Sequence, residues 1–188
     1  IYDLVYESLV TIDDNYLPQP YLAERWEHSS DGKTWTFYLH KDITFSDGTP
    51  LTARDVVASA QAILDRARDE NTIDKGFYVN LKYFISTITA KDDYTVVIKA
   101  SRKYYGLLYG MVFPVVPADQ VAQDNPSGSG PYVISTFAAG DYIWLQANPH
   151  WWQMQPQVKD IMVYLRQTSQ EVIESYEYAN VNTIFTRS

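Results

Sequence analysis

Three stretches of the chain carry strand signals, one of them with strict apolar–polar alternation, and each faces a second stretch across a turn-forming sequence. Trp35, Phe37 and Leu39 alternate with Thr34, Thr36 and Tyr38, the period of a strand with one buried face. Together with residues 26–29 they flank Ser30-Asp31-Gly32-Lys33, which predicts a hairpin. Residues 85–90 and 95–99 predict a second hairpin around Asp92-Asp93, and 132–137 with 142–147 a third over Ala138-Ala139-Gly140-Asp141. After Thr52 the period becomes helical. Val56, Val57, Ala60, Ile63, Leu64 and Ala67 form one apolar stripe, and Arg54, Asp65, Arg66 and Arg68 fall off it. Shorter helices are predicted over 77–84 and 104–111, with one or two helical turns over 118–123. Ser169 is predicted to cap a helix running to about 178, with Glu171 in its first turn. Strands are predicted over 158–165 and 183–185. Residues 69–75 read as a loop. Residues 124–131 are the most loop-like of all and the candidate crossing between subdomains, with Ser127-Gly128-Ser129-Gly130 a flexible turn into the strand at Tyr132. Hairpins with interspersed helices indicate an α+β fold.

The run Phe45-Ser-Asp-Gly-Thr-Pro-Leu-Thr-Ala-Arg-Asp-Val-Val57 turns and then launches the long helix. Gly48 suits a positive φ in the Asp47-Gly48 turn, and Pro50 keeps a strand from passing. Thr52 is placed to accept from the Asp55 N–H as an N-cap, and Asp55 adds negative charge to the first turn.

This run resembles the signature stretch of the bacterial extracellular solute-binding proteins of family 5, the oligopeptide- and dipeptide-binding receptors of ABC importers. Other segments resemble the same family in order and spacing: Tyr2 to Val10, Leu22-Ala23-Glu24-Arg25-Trp26, Asp31 to Leu39, Gly128-Ser129-Gly130-Pro131-Tyr132 and Asn148-Pro149-His150-Trp151-Trp152. His40 stands where the family commonly has Arg, and Ala179-Asn180-Val181-Asn182 where many relatives read Gly-Glu-Ile-Asp. The resemblance implies a periplasmic-binding-protein-like lobe I fragment of mixed sheet, hairpins and flanking helices. Residues 1–125 would be mainly the small subdomain and 126–188 part of the main α/β subdomain, with the second lobe absent. It implies a partner set of short peptides or other small solutes and the membrane subunits of an importer, a monomeric state, and export to the periplasm or the cell surface as a lipoprotein. The export signal and the lipid-anchor cysteine would have been removed or never included. The segment after the long helix, Gly76-Phe77-Tyr78, and the stretch before the paired prolines, Gly110-Met111, are implied to approach the ligand. Phe77, Tyr78 and Met111 are therefore the candidate ligand-binding residues, although the same three also suit ordinary core packing.

Composition narrows the chemistry. A net charge of -8 over 188 residues argues against nucleic acid as a partner, which selects basic surfaces. There is no cysteine, hence no disulfide, thiolate metal site or thiol nucleophile. His28, His40 and His150 show no metal-ligand spacing. Ser127-Gly128-Ser129-Gly130 lacks nucleophile-elbow spacing and has no phosphate-loop lysine. Asp13-Asp14 and Asp92-Asp93 sit in turns. No catalytic residue, metal or cofactor is expected. Three alternatives stay open: a structural or interaction fragment that binds nothing; a receptor for a nickel complex, opine or oligosaccharide; or a carbohydrate-binding or glycan-processing domain, suggested by Trp26, Trp35, Trp144, Trp151 and Trp152.

Overall fold

The computed structural model describes residues 1–72, 76, 78–103, 105–178 and 183. A four-stranded antiparallel sheet has the order β3-β4-β6-β5, with β3 at Ala23–His28, β4 at Thr34–Leu39, β5 at Ile85–Asp92 and β6 at Thr95–Ala100. The alternation in β4 sets its faces: Trp35, Phe37 and Leu39 are buried, as are Val96 and Ile98 opposite them. The long helix, α2 at Ala53–Arg68, lies on β5 and β6 and buries Val56, Ala60, Leu64 and Ala67 there. Two short elements close this core, α3 at Leu81–Phe84 and a 3-10 helix at Tyr105–Gly110.

A second, three-stranded sheet has the order β7-β8-β9, from Tyr132–Ala138, Tyr142–Ala147 and Asp160–Tyr164. Its small core joins Tyr132 and Leu145 to Val5, the last residue of α1 at Tyr2–Val5. The main core is separate and runs from Leu9 to Val115.

Helix α2 starts on a reinforced capping box. The Asp55 carboxylate oxygen Oδ2 accepts from both the Thr52 N–H, at 2.8 Å, and the Thr52 hydroxyl, at 2.9 Å. The expected reverse half, Thr52 oxygen to Asp55 N–H, is loose, and that N–H bonds the Thr52 carbonyl at 3.0 Å. The other Asp55 oxygen accepts from the Ala118 N–H at 2.9 Å, so the cap also anchors a distant segment.

Several expectations are corrected. Residues 118–123 form consecutive turns, with Gln120 N–H on Pro117 and Gln123 N–H on Gln120, not a helix. Ser169 is the first residue of α4, Ser169–Tyr178, and the cap is Thr168. The Thr168 hydroxyl accepts from Glu171 N–H, while the Glu171 carboxylate accepts from the Thr168 and Gln167 N–H groups. That is the Thr-x-x-Glu box. The helix expected over 77–84 is one turn, Leu81–Phe84, after a turn at 78–80. Of the closing strand expected over 183–185, Thr183 alone is described and belongs to no regular element. The hairpin of β1, Val10–Ile12, with β2, Pro18–Pro20, was not foreseen, and neither was α1.

The Gly128-Ser129-Gly130 turn is packed, not flexible. All three residues are buried. A Cβ at Gly128 would stand 1.9 Å from the Val5 carbonyl oxygen, and one at Gly130 would stand 2.8 Å from Leu4 and Val5 atoms. Glycine is required there for close backbone approach. Gly128→Ala is expected to destabilise by about 1–3 kcal/mol or more. Gly140→Ala, where nothing lies within 4 Å and only the positive φ of 79° opposes it, is expected to cost about 1 kcal/mol. Equal urea midpoints for the two variants would contradict the packing argument.

Candidate functional site

The turn after α2, α3 and the 3-10 helix enclose a concavity of about 240 Å³, lined by Tyr78, Asn80, Leu81, Phe84, Gly106, Tyr109, Gly110 and Val112. Leu81 and Leu107 are buried and fix the two short helices against the core. Among the described residues, no lining side chain is charged. Gly110 packs closely on the Leu81 side chain, whose Cδ2 a Cβ there would meet at 3.1 Å. Burial, and then the charges of Asp3 and Tyr2, raise the Tyr78 hydroxyl above its ordinary pKa. The Tyr109 hydroxyl donates to the Tyr16 carbonyl at 3.0 Å. Tyr16 turns the β1–β2 hairpin at a φ of 61°.

Of the three expected ligand residues, Tyr78 lines this concavity. Met111 has no exposure and packs in the main core, while its neighbours Gly110 and Val112 line the concavity. Phe77 lies outside the described residues. Tyr109 and Asn80 escaped the sequence reading. The only available signal was the pairing of tyrosine and glycine within residues 104–110.

A second cluster surrounds Glu7, which is 1% exposed. Its two carboxylate oxygens accept the indole N–H groups of Trp151 and Trp152, each at 2.9 Å, and the Tyr21 hydroxyl also bonds it. Burial pushes the Glu7 carboxyl above its ordinary value, against the pull of these donors and of nearby Ser129. Ser129 Oγ itself is buried and reaches no hydrogen-bond partner of full geometry. Burial and the Glu7 charge push the Tyr21 hydroxyl up in turn. The His40 ring stacks on Trp152 at 4.9 Å between centroids, so a ring contact occupies the place where the resemblance led one to expect an arginine pair. The Trp35 N–H bonds the Gly32 carbonyl and the Trp144 N–H bonds Asp160. Four of the five indoles thus have internal partners.

The signature loop meets this cluster. Gly48 has a φ of 84°, as its turn requires, and faces the His150 ring. Asp47 accepts from the Thr49 N–H and hydroxyl, from Gln120 Nε2 and from the Ser127 hydroxyl. The slight burial of Asp47 opposes ionisation, but these donors outweigh it and hold the carboxyl below its ordinary 3.8. Buried Asn148 donates to the Gly130 carbonyl and accepts from the His150 N–H. Among the described residues, no group of three or more His, Cys, Asp or Glu is placed to hold a metal ion, and no helix is long and apolar enough to cross a membrane.

This fold is that of the periplasmic binding proteins. The oligopeptide-binding protein AppA from Bacillus subtilis, solved with a nonapeptide, superposes with a TM-score of 0.82 at 22% identity, over 96% of this chain and 38% of that one. Residues 18–175 match the model of the bacterial extracellular solute-binding proteins, family 5 Middle, and the chain belongs to that family. The periplasmic oligopeptide-binding protein OppA of Salmonella typhimurium is 30% identical over 93% of this chain and 36% of its own length. The nickel-binding periplasmic protein of Escherichia coli is 28% identical over 84% of this chain and 31% of its own. The chain spans about a third of the length of these curated relatives.

The two carboxylates predict opposite pH dependences. Between the ordinary 4.5 of Glu7 and its raised folded pKa, the folded state binds more protons than the unfolded chain. Stability is therefore lost as pH rises through that window. Asp47 has the reverse sign: its contribution is present above 3.8 and is lost as pH falls through the lower folded pKa. Glu7→Gln turns one acceptor into a donor facing an indole N–H, and is expected to destabilise by about 1–3 kcal/mol at neutral pH. Its deficit should be largest below pH 4.5 and shrink as pH rises through that window. Asp47→Asn should lower the melting temperature at pH 7, and its deficit should shrink toward pH 3. Melting curves from pH 3 to 8 that stay parallel to wild type would refute both assignments.

Proposed function

We propose that this chain is part of lobe I of an extracytoplasmic receptor that captures short peptides and delivers them to an ABC importer, without catalysing a reaction. The observation that carries the reading is the uncharged aromatic concavity at Tyr78, built by two segments that the family resemblance assigns to the ligand. Membership of a solute-binding family supports it, as do the peptide-binding names of several relatives. In this reading Tyr78 contacts the ligand directly, with Phe77 beside it. Met111 supports the floor of the site through Gly110. Residues 1–125 act mainly as the small subdomain and residues 126–188 as part of the main one. The nickel-binding relative favours one competing reading, a receptor for a metal complex.

The test is calorimetric titration of the full-length protein with tripeptides and, separately, with Ni(II)-histidine. Tripeptide binding at micromolar affinity is expected, and Tyr78→Ala should weaken it about tenfold, the loss of roughly 1.4 kcal/mol. Melting of the same variant controls for the half-buried position of Tyr78. Binding of Ni(II)-histidine but of no tripeptide would replace this reading with the metal-complex one. Unchanged peptide affinity in Tyr78→Ala would remove the site.

A further inference from the structure

We infer that the Tyr78 concavity is a subsite selective for an uncharged apolar side chain of the solute, and that Tyr109 sets its width. The inference deepens the receptor reading and rests on it for the identity of the solute, but not for the chemistry of the subsite. Leu81 and Phe84 supply an apolar wall, Tyr78 and Tyr109 are the aromatic walls, and Asn80 is the one amide at the rim. A charged group entering this space would lose water and meet no opposite charge among the described lining residues. Asp3 acts on the Tyr78 hydroxyl but is not part of the lining, so a cationic side chain drawn to it is the natural competitor.

Tyr109 is half-exposed, and such a ring ordinarily turns freely between rotamers. Here its hydroxyl is tied to the Tyr16 carbonyl at 3.0 Å, on a hairpin turn whose Asp13 carboxylate accepts from the Asn15 and Leu17 N–H groups. The hairpin thus fixes the ring at one wall, while the neighbouring Gly110 packs closely on Leu81. Tyr109 acts as a contact residue, and the β1–β2 turn acts through it as a positioning element.

The test uses the full-length protein and two probes, N-acetyl-phenylalaninamide and N-acetyl-lysinamide, read by the amide resonances of Gly106 and Gly110 in nitrogen-15 NMR. The phenylalanine probe is expected to shift both resonances, and the lysine probe to shift neither. Tyr109→Phe keeps the ring and cuts the tie. It should weaken the phenylalanine probe about two- to tenfold, the range for one neutral hydrogen bond, with the remaining spectrum unchanged. Equal shifts from the lysine probe, shifts confined to other residues, or full affinity in Tyr109→Phe would each overturn the inference. Probe binding at these glycines together with no binding of any tripeptide would sink the peptide-receptor reading and leave the subsite standing.

Discussion

The arrangement of the whole chain depends on how the Glu7 carboxylate is satisfied. A carboxylate removed from water with no cation beside it is unfavourable unless donors fill its oxygens. Here Trp151 and Trp152 bring one indole N–H to each oxygen. Adjacent residues in a strand would point to opposite faces. The pair converges because residues 151–154 leave β8 as an irregular bend. The interaction joins positions 144 and 145 residues apart in sequence, so it exists only once both ends of the chain are in place.

The same seam explains why the segments that resemble the family are spread along the sequence yet meet in space. The two hydrophobic clusters share no strand. What crosses between them is mainly polar and backbone contact, with the Trp152 ring packed on the main core. Ser46 N–H reaches the Gly128 carbonyl, Asp47 accepts from the Ser127 hydroxyl and the Thr44 hydroxyl reaches the His150 carbonyl, while the packing of Gly128 and Gly130 on α1 and the Asn148 bond to Gly130 brace the second unit itself. Apolar packing would tolerate several orientations of two small cores. Directional hydrogen bonds tolerate few. The signature residues are thus a mutual-orientation device, and the Tyr78 concavity lies away from them.

Local regularities were legible in the sequence. The strand alternation at 34–39, the helical stripe after Thr52 and the three hairpin turns each have a period or a turn residue that acts within a few positions. The positive φ of Gly48 was readable for the same reason. What escaped depends on partners distant in sequence. Nothing near Gly128 reveals that a carbonyl from residue 5 occupies the place of its missing Cβ, so the stretch reads as a flexible loop. Glu7 looks like a surface acid until two remote indoles are set upon it. The β1–β2 hairpin contains Pro18 and Pro20 and only three residues per strand, too few for alternation to show. The candidate concavity was half legible. Family resemblance led to the two segments that form the concavity, but which side chain of Gly110-Met111-Val112 faces inward is set by packing, and Met111 turned to the core.

The concavity and the clasp are mechanically close despite their different chemistry. The chain leaves the floor of the concavity at Gly110. The next carbonyl, of Met111, accepts the Val10 N–H at 3.3 Å, and four residues later the Val115 N–H donates to the Glu7 carbonyl at 2.9 Å. The 3-10 helix therefore runs straight into a segment held alongside β1 and the buried acid. Ser59 and Asp55 of α2 hold the same segment from its other end, at Val116 and Ala118. Short helices have too few internal hydrogen bonds to be stable by themselves, and their precision must come from the scaffold that supports them. Here the support is a backbone ladder whose first rung is the peptide of the residue that carries the buried charge. The Tyr109 and Gly110 wall is thus braced by the backbone of the same residue whose carboxylate holds Trp151 and Trp152.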